Sequence, residues 1–229
     1  MKQRVKTLGA FFLAAAGAVI GFFFRSMQLS GHSRLPLIAL SVLMTLLFVL
    51  AAAALEQEKR FEAVLKPGRL PAILGVLGGL CMAAGCAAGL SSGTLFSKAV
   101  AMLGVLSGIC AAAAGILRKT DQRKQLVFYV VIQIFFIVRL FSDFRRWEVD
   151  PAVLDYCFML FAAISFMMAA YQAGAFCFDR GSRRLLAFFS MTGVLFGAIS
   201  VAGADVPTML YYGGGALWLL TFVGDTTKE

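Results

Sequence analysis

The chain has 229 residues, 60% of them hydrophobic and 14% charged, with a formal net charge of +9. An ordinary soluble domain has roughly 45 to 50% and 25% in those classes, so composition excludes a soluble globular domain and indicates a membrane protein. The basicity does not indicate nucleic-acid binding, because it sorts by side: with a cytoplasmic N-terminus, fifteen of the 21 basic residues fall in inner segments, five in outer ones, and Arg139 inside a span.

Apolar runs long enough to cross a hydrocarbon core of about 30 Å occur at residues 8–24, 35–55, 70–90, 97–117, 125–142, 152–177, 183–203 and 206–224. They predict an all-α, polytopic integral membrane protein of the plasma membrane. It would be one domain over residues 1–229, a bundle of eight transmembrane helices with both termini cytoplasmic. The longest interval between spans runs only from Glu56 to Arg69, so any chemistry belongs within the helices or at their ends.

Span one has a basic start and an Ala14-Ala15-Ala16 run that would suit a signal peptide. The apolar stretch continues past that point to Phe24, as an anchor does. Gly17 and Gly21, four apart, offer a smooth face to a neighbouring helix before Phe22-Phe23-Phe24-Arg25 marks the interface. His32 is the only histidine and sits in a short turn, which removes histidine-pair metal sites from consideration. Span two opens on Leu35-Pro36, where a first-turn proline is tolerated. Glu56 to Arg69 reads as a solvated linker; the alternative is a surface segment with Phe61, Val64 and Leu65 against the membrane.

Spans three and four share a pattern. Leu74 to Cys81 recurs in Leu103 to Cys110, giving Gly75 and Gly79 in one and Gly104 and Gly108 in the other, and Gly193 and Gly197 repeat the spacing in span seven. Small residues four apart let helix backbones approach closely in lipid, where apolar burial gives little extra drive. These helices are expected to be central, or to bind a second copy or a partner subunit through their glycine faces. The recurrence suggests two parallel four-helix halves, although low apolar complexity produces the same pattern by coincidence. The five cysteines lie within predicted spans and form no Cys-x-x-Cys pair, so they read as small packing residues, with no metal site and no cofactor implied.

Span five carries the polar stripe of the chain. Tyr129, Gln133, Arg139 and Asp143 fall within an arc of about 120° at 100° per residue, on a helix otherwise built of Ile, Val and Phe. A charge at the bilayer centre costs about 2.5 to 3.5 kcal/mol, so such a stripe should face protein or water. Asp155 in span six is the other clearly intramembrane charge. Helical rise puts Arg139 and Asp155 at similar depth, roughly 6 Å below the outer helix ends, and predicts that they meet across neighbouring helices.

Asp205 precedes Pro207 at the start of span eight, as an N-cap or an ion ligand. Tyr211 and Tyr212 then lead into Gly213-Gly214-Gly215 near mid-bilayer. There, either a neighbouring helix packs closely or the helix unwinds to expose its backbone to a ligand. The composite reading is a small-solute or ion transporter, or the membrane subunit of one, with an outward polar site between spans five, six and eight. Arg139, Asp155, Gln133, Tyr129, Asp205, Tyr211, Tyr212, Gly213, Gly214 and Gly215 would form it. The alternative is a non-catalytic membrane scaffold whose charges are a structural salt bridge. A more remote one is an intramembrane enzyme using Asp155 and Asp205, for which no Gly-x-Gly-Asp motif is present.

Overall fold

The computed structural model describes residues 2–65, 68–91, 94–117, 122–147 and 153–226; the side chains of residues 2–8, 70, 122, 123, 145–147 and 153–155 are outside that description. Among the described residues there are nine α-helices and no strand: α1 Lys2–Leu29, α2 Leu35–Ala53, α3 Phe61–Val64, α4 Arg69–Ala87, α5 Leu95–Ile116, α6 Gln122–Trp147, α7 Val153–Phe176, α8 Arg183–Val201 and α9 Val206–Thr226. All but α3 are long and apolar enough to cross a membrane.

Helix starts follow local chemistry. Pro36 sits in the first turn of α2, where a missing N–H leaves no bond unmade. Thr94 and Ser182 cap α5 and α8, their hydroxyl oxygens accepting from the Ser97 and Leu185 N–H groups. The end of α7 closes as a left-handed turn: Asp179 has φ +53°, its N–H donates to the Phe176 carbonyl, and the Arg180 N–H donates to the Ala175 carbonyl. That pair of bonds is a Schellman closure, with aspartate in the position glycine usually takes.

Helices α4 to α9 pack as a ring, each on the next, and α9 closes back on α4. Outside it, α1 packs on α2 and α8, with Gly17 against Met44 and Gly21 against Ile199 and Leu195. The expected pairing of halves would make the α7–α8 contact recur between α2 and α4. Instead α2 packs chiefly on α1 and α8.

The centre of the ring is filled by aromatic side chains. Phe166 is fully buried, with Phe136 at 5.7 Å and Tyr212 at 6.3 Å between ring centroids, and it fits against Gly193, Gly197 and Gly215. Glycine sets how closely the helices approach: a Cβ on Gly79 would come within 2.6 Å of the Gly108 carbonyl, and one on Gly108 within 2.6 Å of the Gly79 carbonyl. Gly75, Gly79, Gly104, Gly108, Gly193 and Gly197 are all buried within the chain, as expected of centrally packed helices.

The described part of the Glu56–Arg69 stretch is not a solvated linker. Phe61, Val64 and Leu65 are buried, and the segment docks on the α7–α8 turn. The Phe61 N–H donates to Asp179 Oδ1 at 2.9 Å, the Arg183 N–H to the Glu58 carbonyl at 3.3 Å, and Arg184 Nε to the Leu55 carbonyl at 2.8 Å. Three apolar side chains in an otherwise charged stretch find protein there, which lipid headgroups or water would not match.

Candidate functional site

α6 continues to Trp147, beyond the expected end of span five at residue 142, so Asp143 is helical. One turn of helix therefore separates Arg139 from Asp143, and Arg139 Nε donates to Asp143 Oδ2 at 2.7 Å. Asp143 is buried, while the Arg139 side chain keeps 29% of its surface exposed. The guanidinium also lies 5.2 Å from the centre of the Tyr211 ring on α9, a cation–π contact that joins the two helices. The pairing expected between Arg139 and Asp155 lies outside the described residues, since the Asp155 side chain is among those not described.

Arg139 and Tyr211 border a cavity of about 270 Å³ at the end of the bundle opposite the termini, together with Cys86, Ser97, Ser142 and Thr208. α4, α5, α6 and α9 enclose it, and α7 contributes no described side chain. The cavity thus lies on the side of α6 toward spans three and four, whereas the sequence points to a site between spans five, six and eight. The cause lies in α4: Gly85 brings it so close to α9 that a Cβ would sit 2.6 Å from the Pro207 carbonyl, and the two helices together wall the cavity.

Two features give this cavity chemical character. Arg139 spends Nε on Asp143, and among the described residues no acceptor meets its two terminal nitrogens. The Tyr211 hydroxyl is buried with no hydrogen-bond partner among the described residues. A buried hydroxyl left unpaired costs on the order of 1 to 3 kcal/mol, and the two terminal nitrogens of Arg139 are donors of the kind that meet carboxylate or phosphate oxygens. Below it, Phe135 at 6.0 Å and Phe136 at 6.5 Å from the Tyr211 ring form an aromatic floor.

The other expected residues go elsewhere. Tyr129 and Gln133 line a separate cavity of about 410 Å³ between α6 and α7, near the end that carries the termini. Gln133 and Arg139 are six positions apart on the helix, about 9 Å, and the fully buried Phe135 and Phe136 occupy that interval. Asp205 is exposed just before α9, its carbonyl accepting from the Met209 N–H. Tyr212 packs on Tyr211 at 4.8 Å and faces Phe166, away from the cavity. α9 is helical through the glycine triplet, whose members meet three different neighbours: Gly213 faces Val201, Gly214 the α4 backbone and Gly215 Phe166.

Ser97, Ser142 and Thr208 are not singled out in the sequence, and Cys86 reads there only as a packing residue. Ser142 stands three residues from Arg139, and that helical spacing was legible; the others come from three helices whose register only packing sets. The fold and site together define a multi-pass helical bundle with a polar cavity at one end. No protein family, curated protein or solved structure matches this chain.

Proposed function

We propose that the chain is a plasma-membrane protein that binds a small solute bearing a carboxylate or phosphate in the Arg139 cavity, as a transporter or the membrane subunit of one. The observation that carries this reading is the partly exposed Arg139 side chain stacked on the ring of Tyr211, a residue of a different helix whose buried hydroxyl has no partner among the described residues. With both termini cytoplasmic, as the excess of basic residues on that side favours, the cavity opens outward. Arg139 would take the anionic oxygens through its terminal nitrogens while Asp143 holds Nε and fixes the plane of the fork. Tyr211, stacked beside the guanidinium on α9, would donate to the same group. The aromatic floor closes the path toward the other side, as an outward-facing state of an alternating-access carrier requires.

A thermal-shift panel tests the reading: purified protein in neutral detergent against small mono- and dicarboxylates, phosphate and sulfate. A ligand at a hundred times its Kd stabilises by about 2.7 kcal/mol, enough for a clear rise in Tm. The rise should vanish in Arg139→Gln and in Tyr211→Phe, and both variants should keep their helical content. Counterflow of the stabilising solute in proteoliposomes then separates a carrier from a receptor.

A second reading is a non-catalytic scaffold. The internal pairing of Arg139 with Asp143 and the filled aromatic centre favour it, since both explain the charges and the packing without a ligand. Failure of every anion in the panel to stabilise the wild type would leave this reading standing and remove the first.

A further inference from the structure

The cavity of about 410 Å³ that Gln133 lines lies on a different face of α6 from the Arg139 site, between α6 and α7. Leu126 and Val130 of α6 and Ala170 and Gly174 of α7 give it an apolar wall, which runs about 10 Å along α6 from Leu126 to Gln133. Its two ends are polar, and they differ.

The end near the termini is a donor set. Gln172 is 6% exposed, and its Oε1 accepts the Ser182 N–H at 3.1 Å. That bond fixes which end of the amide is oxygen, and it leaves the nitrogen as a donor that meets no acceptor among the described residues. Arg180 borders the same end, and its side chain has no hydrogen bond or ion pair among the described residues. Asp179 beside it accepts the Phe61 N–H, and no carboxylate is among the described residues that line the cavity. α8 also starts here, at Arg183, and the partial positive charge of a helix N-terminus adds to the preference for an anion. The carbonyls that end α7 are already met: Gly174, Ala175 and Phe176 accept N–H groups of the turn.

The inner end carries Gln133, whose Oε1 is buried with no hydrogen-bond partner among the described residues. An unpaired amide oxygen costs on the order of 1 to 3 kcal/mol, and the broad terminal torsion of the side chain lets it present either oxygen or nitrogen to the cavity. A hydroxyl both donates and accepts, so it satisfies the amide in either orientation.

We propose that this cavity binds a small organic acid with a carboxylate at one end, an apolar body and a hydroxyl at the other. Gln172 and Arg180 take the carboxylate, the α6–α7 wall holds the body, and Gln133 pairs with the hydroxyl. An acyl chain would lay its methyl end on the Gln133 amide, which disfavours a fatty acid or a phospholipid tail. The site does not depend on the solute cavity, whose walls are α4, α5, α6 and α9.

The probe is para-hydroxyphenylpropanoate, titrated by calorimetry into purified protein in neutral detergent. Phenylpropanoate, which lacks the hydroxyl, and para-ethylphenol, which lacks the carboxylate, are titrated beside it. The hydroxylated acid should bind at least about tenfold more tightly than either relative. Gln172→Glu keeps the oxygen that the Ser182 N–H needs but turns a second oxygen on the ligand, and should weaken binding at least about tenfold. Arg180→Gln, at an exposed position, should weaken it comparably and serves if the first variant fails to fold. Gln133→Leu should bring the two acids to equal affinity, and Arg139→Gln should leave all three probes unchanged, which separates this site from the solute cavity. Absence of binding, equal binding of the three probes by the wild type, or undiminished affinity in folded Arg180→Gln overturns the proposal. Displacement of the acid by phosphatidylglycerol also overturns it, by assigning the cavity to a lipid.

Discussion

Gly78 of α4 and Gly214 of α9 touch backbone to backbone: a Cβ on Gly78 would come within 2.7 Å of the Gly214 carbonyl oxygen, and a Cβ on Gly214 within 2.7 Å of the Gly78 carbonyl oxygen. An alanine gains about 1 kcal/mol of helix propensity over glycine, but overpacking against a neighbouring backbone costs about 1 to 3 kcal/mol. The second effect should win at Gly214. Gly214→Ala is expected to destabilise by about 1 to 2 kcal/mol and Gly214→Val by more. At Gly213 the added carbon would meet only Val201 at 3.5 Å, so Gly213→Ala should be neutral or stabilising. Thermal unfolding in one detergent compares the three, and equal losses at both positions would contradict the α4–α9 contact.

Removing the carboxylate of the Arg139–Asp143 pair leaves the Arg139 guanidinium partly buried without its acid. Because Arg139 is partly exposed, the loss for Asp143→Asn should be nearer about 1 to 2 kcal/mol than the 3 to 5 of a fully buried pair. The double variant Arg139→Gln with Asp143→Asn should recover part of it, with a coupling of at least about 0.5 kcal/mol in a double-mutant cycle. Strict additivity would mean that the two side chains do not interact in the membrane.

Asp179 has two tasks, holding a left-handed turn and accepting the Phe61 N–H. Asp179→Ala loses the bond and keeps the strain of positive φ, so it should cost about 1 to 3 kcal/mol. Asp179→Gly loses the same bond but relieves the strain, and should cost less. Faster amide exchange at Phe61 in both variants is the local signature, and unchanged protection there would refute the docking.

The docked segment makes its own contrast. Phe61→Ala removes a large buried ring and should destabilise by about 3 to 5 kcal/mol, whereas Glu62→Ala, at an exposed position of the same short helix, should stay within about 0.5 kcal/mol. Limited proteolysis gives a second readout: the wild-type segment resists cleavage and the Phe61 variant does not.

Glu58 accepts the N–H groups of Lys59 and Arg60 at 2.9 and 3.0 Å, and these bonds, that of Arg60 foremost, hold its carboxyl below the usual range. A lowered folded-state pKa stabilises above the unfolded value and is lost as pH falls through the folded one. The Glu58 carbonyl also accepts the Arg183 N–H, so acidification should loosen this corner first. Carboxyl titration by NMR should give a midpoint below 4.5, and a midpoint at or above it would deny the bonds.

Much of the architecture was legible in the chain because lipid imposes a simple demand: every backbone polar group must be satisfied within a helix, so spans announce themselves as apolar runs of fixed length. The eight runs, the glycine faces of Gly79 and Gly108, and the stripe that holds Arg139 and Asp143 all follow from composition and a period of 3.6. Helix neighbours do not. In lipid every apolar face is equally content, and which one meets which depends on small-residue fit summed over the whole bundle. Tertiary structure alone therefore brought Tyr211 over Arg139, moved the polar cavity to the α4 side of α6, put Gln133 beyond an aromatic floor and folded Phe61 under the α7–α8 turn. Periodicity tells a side chain which way to turn on its own helix, and only close packing tells it what it will find there.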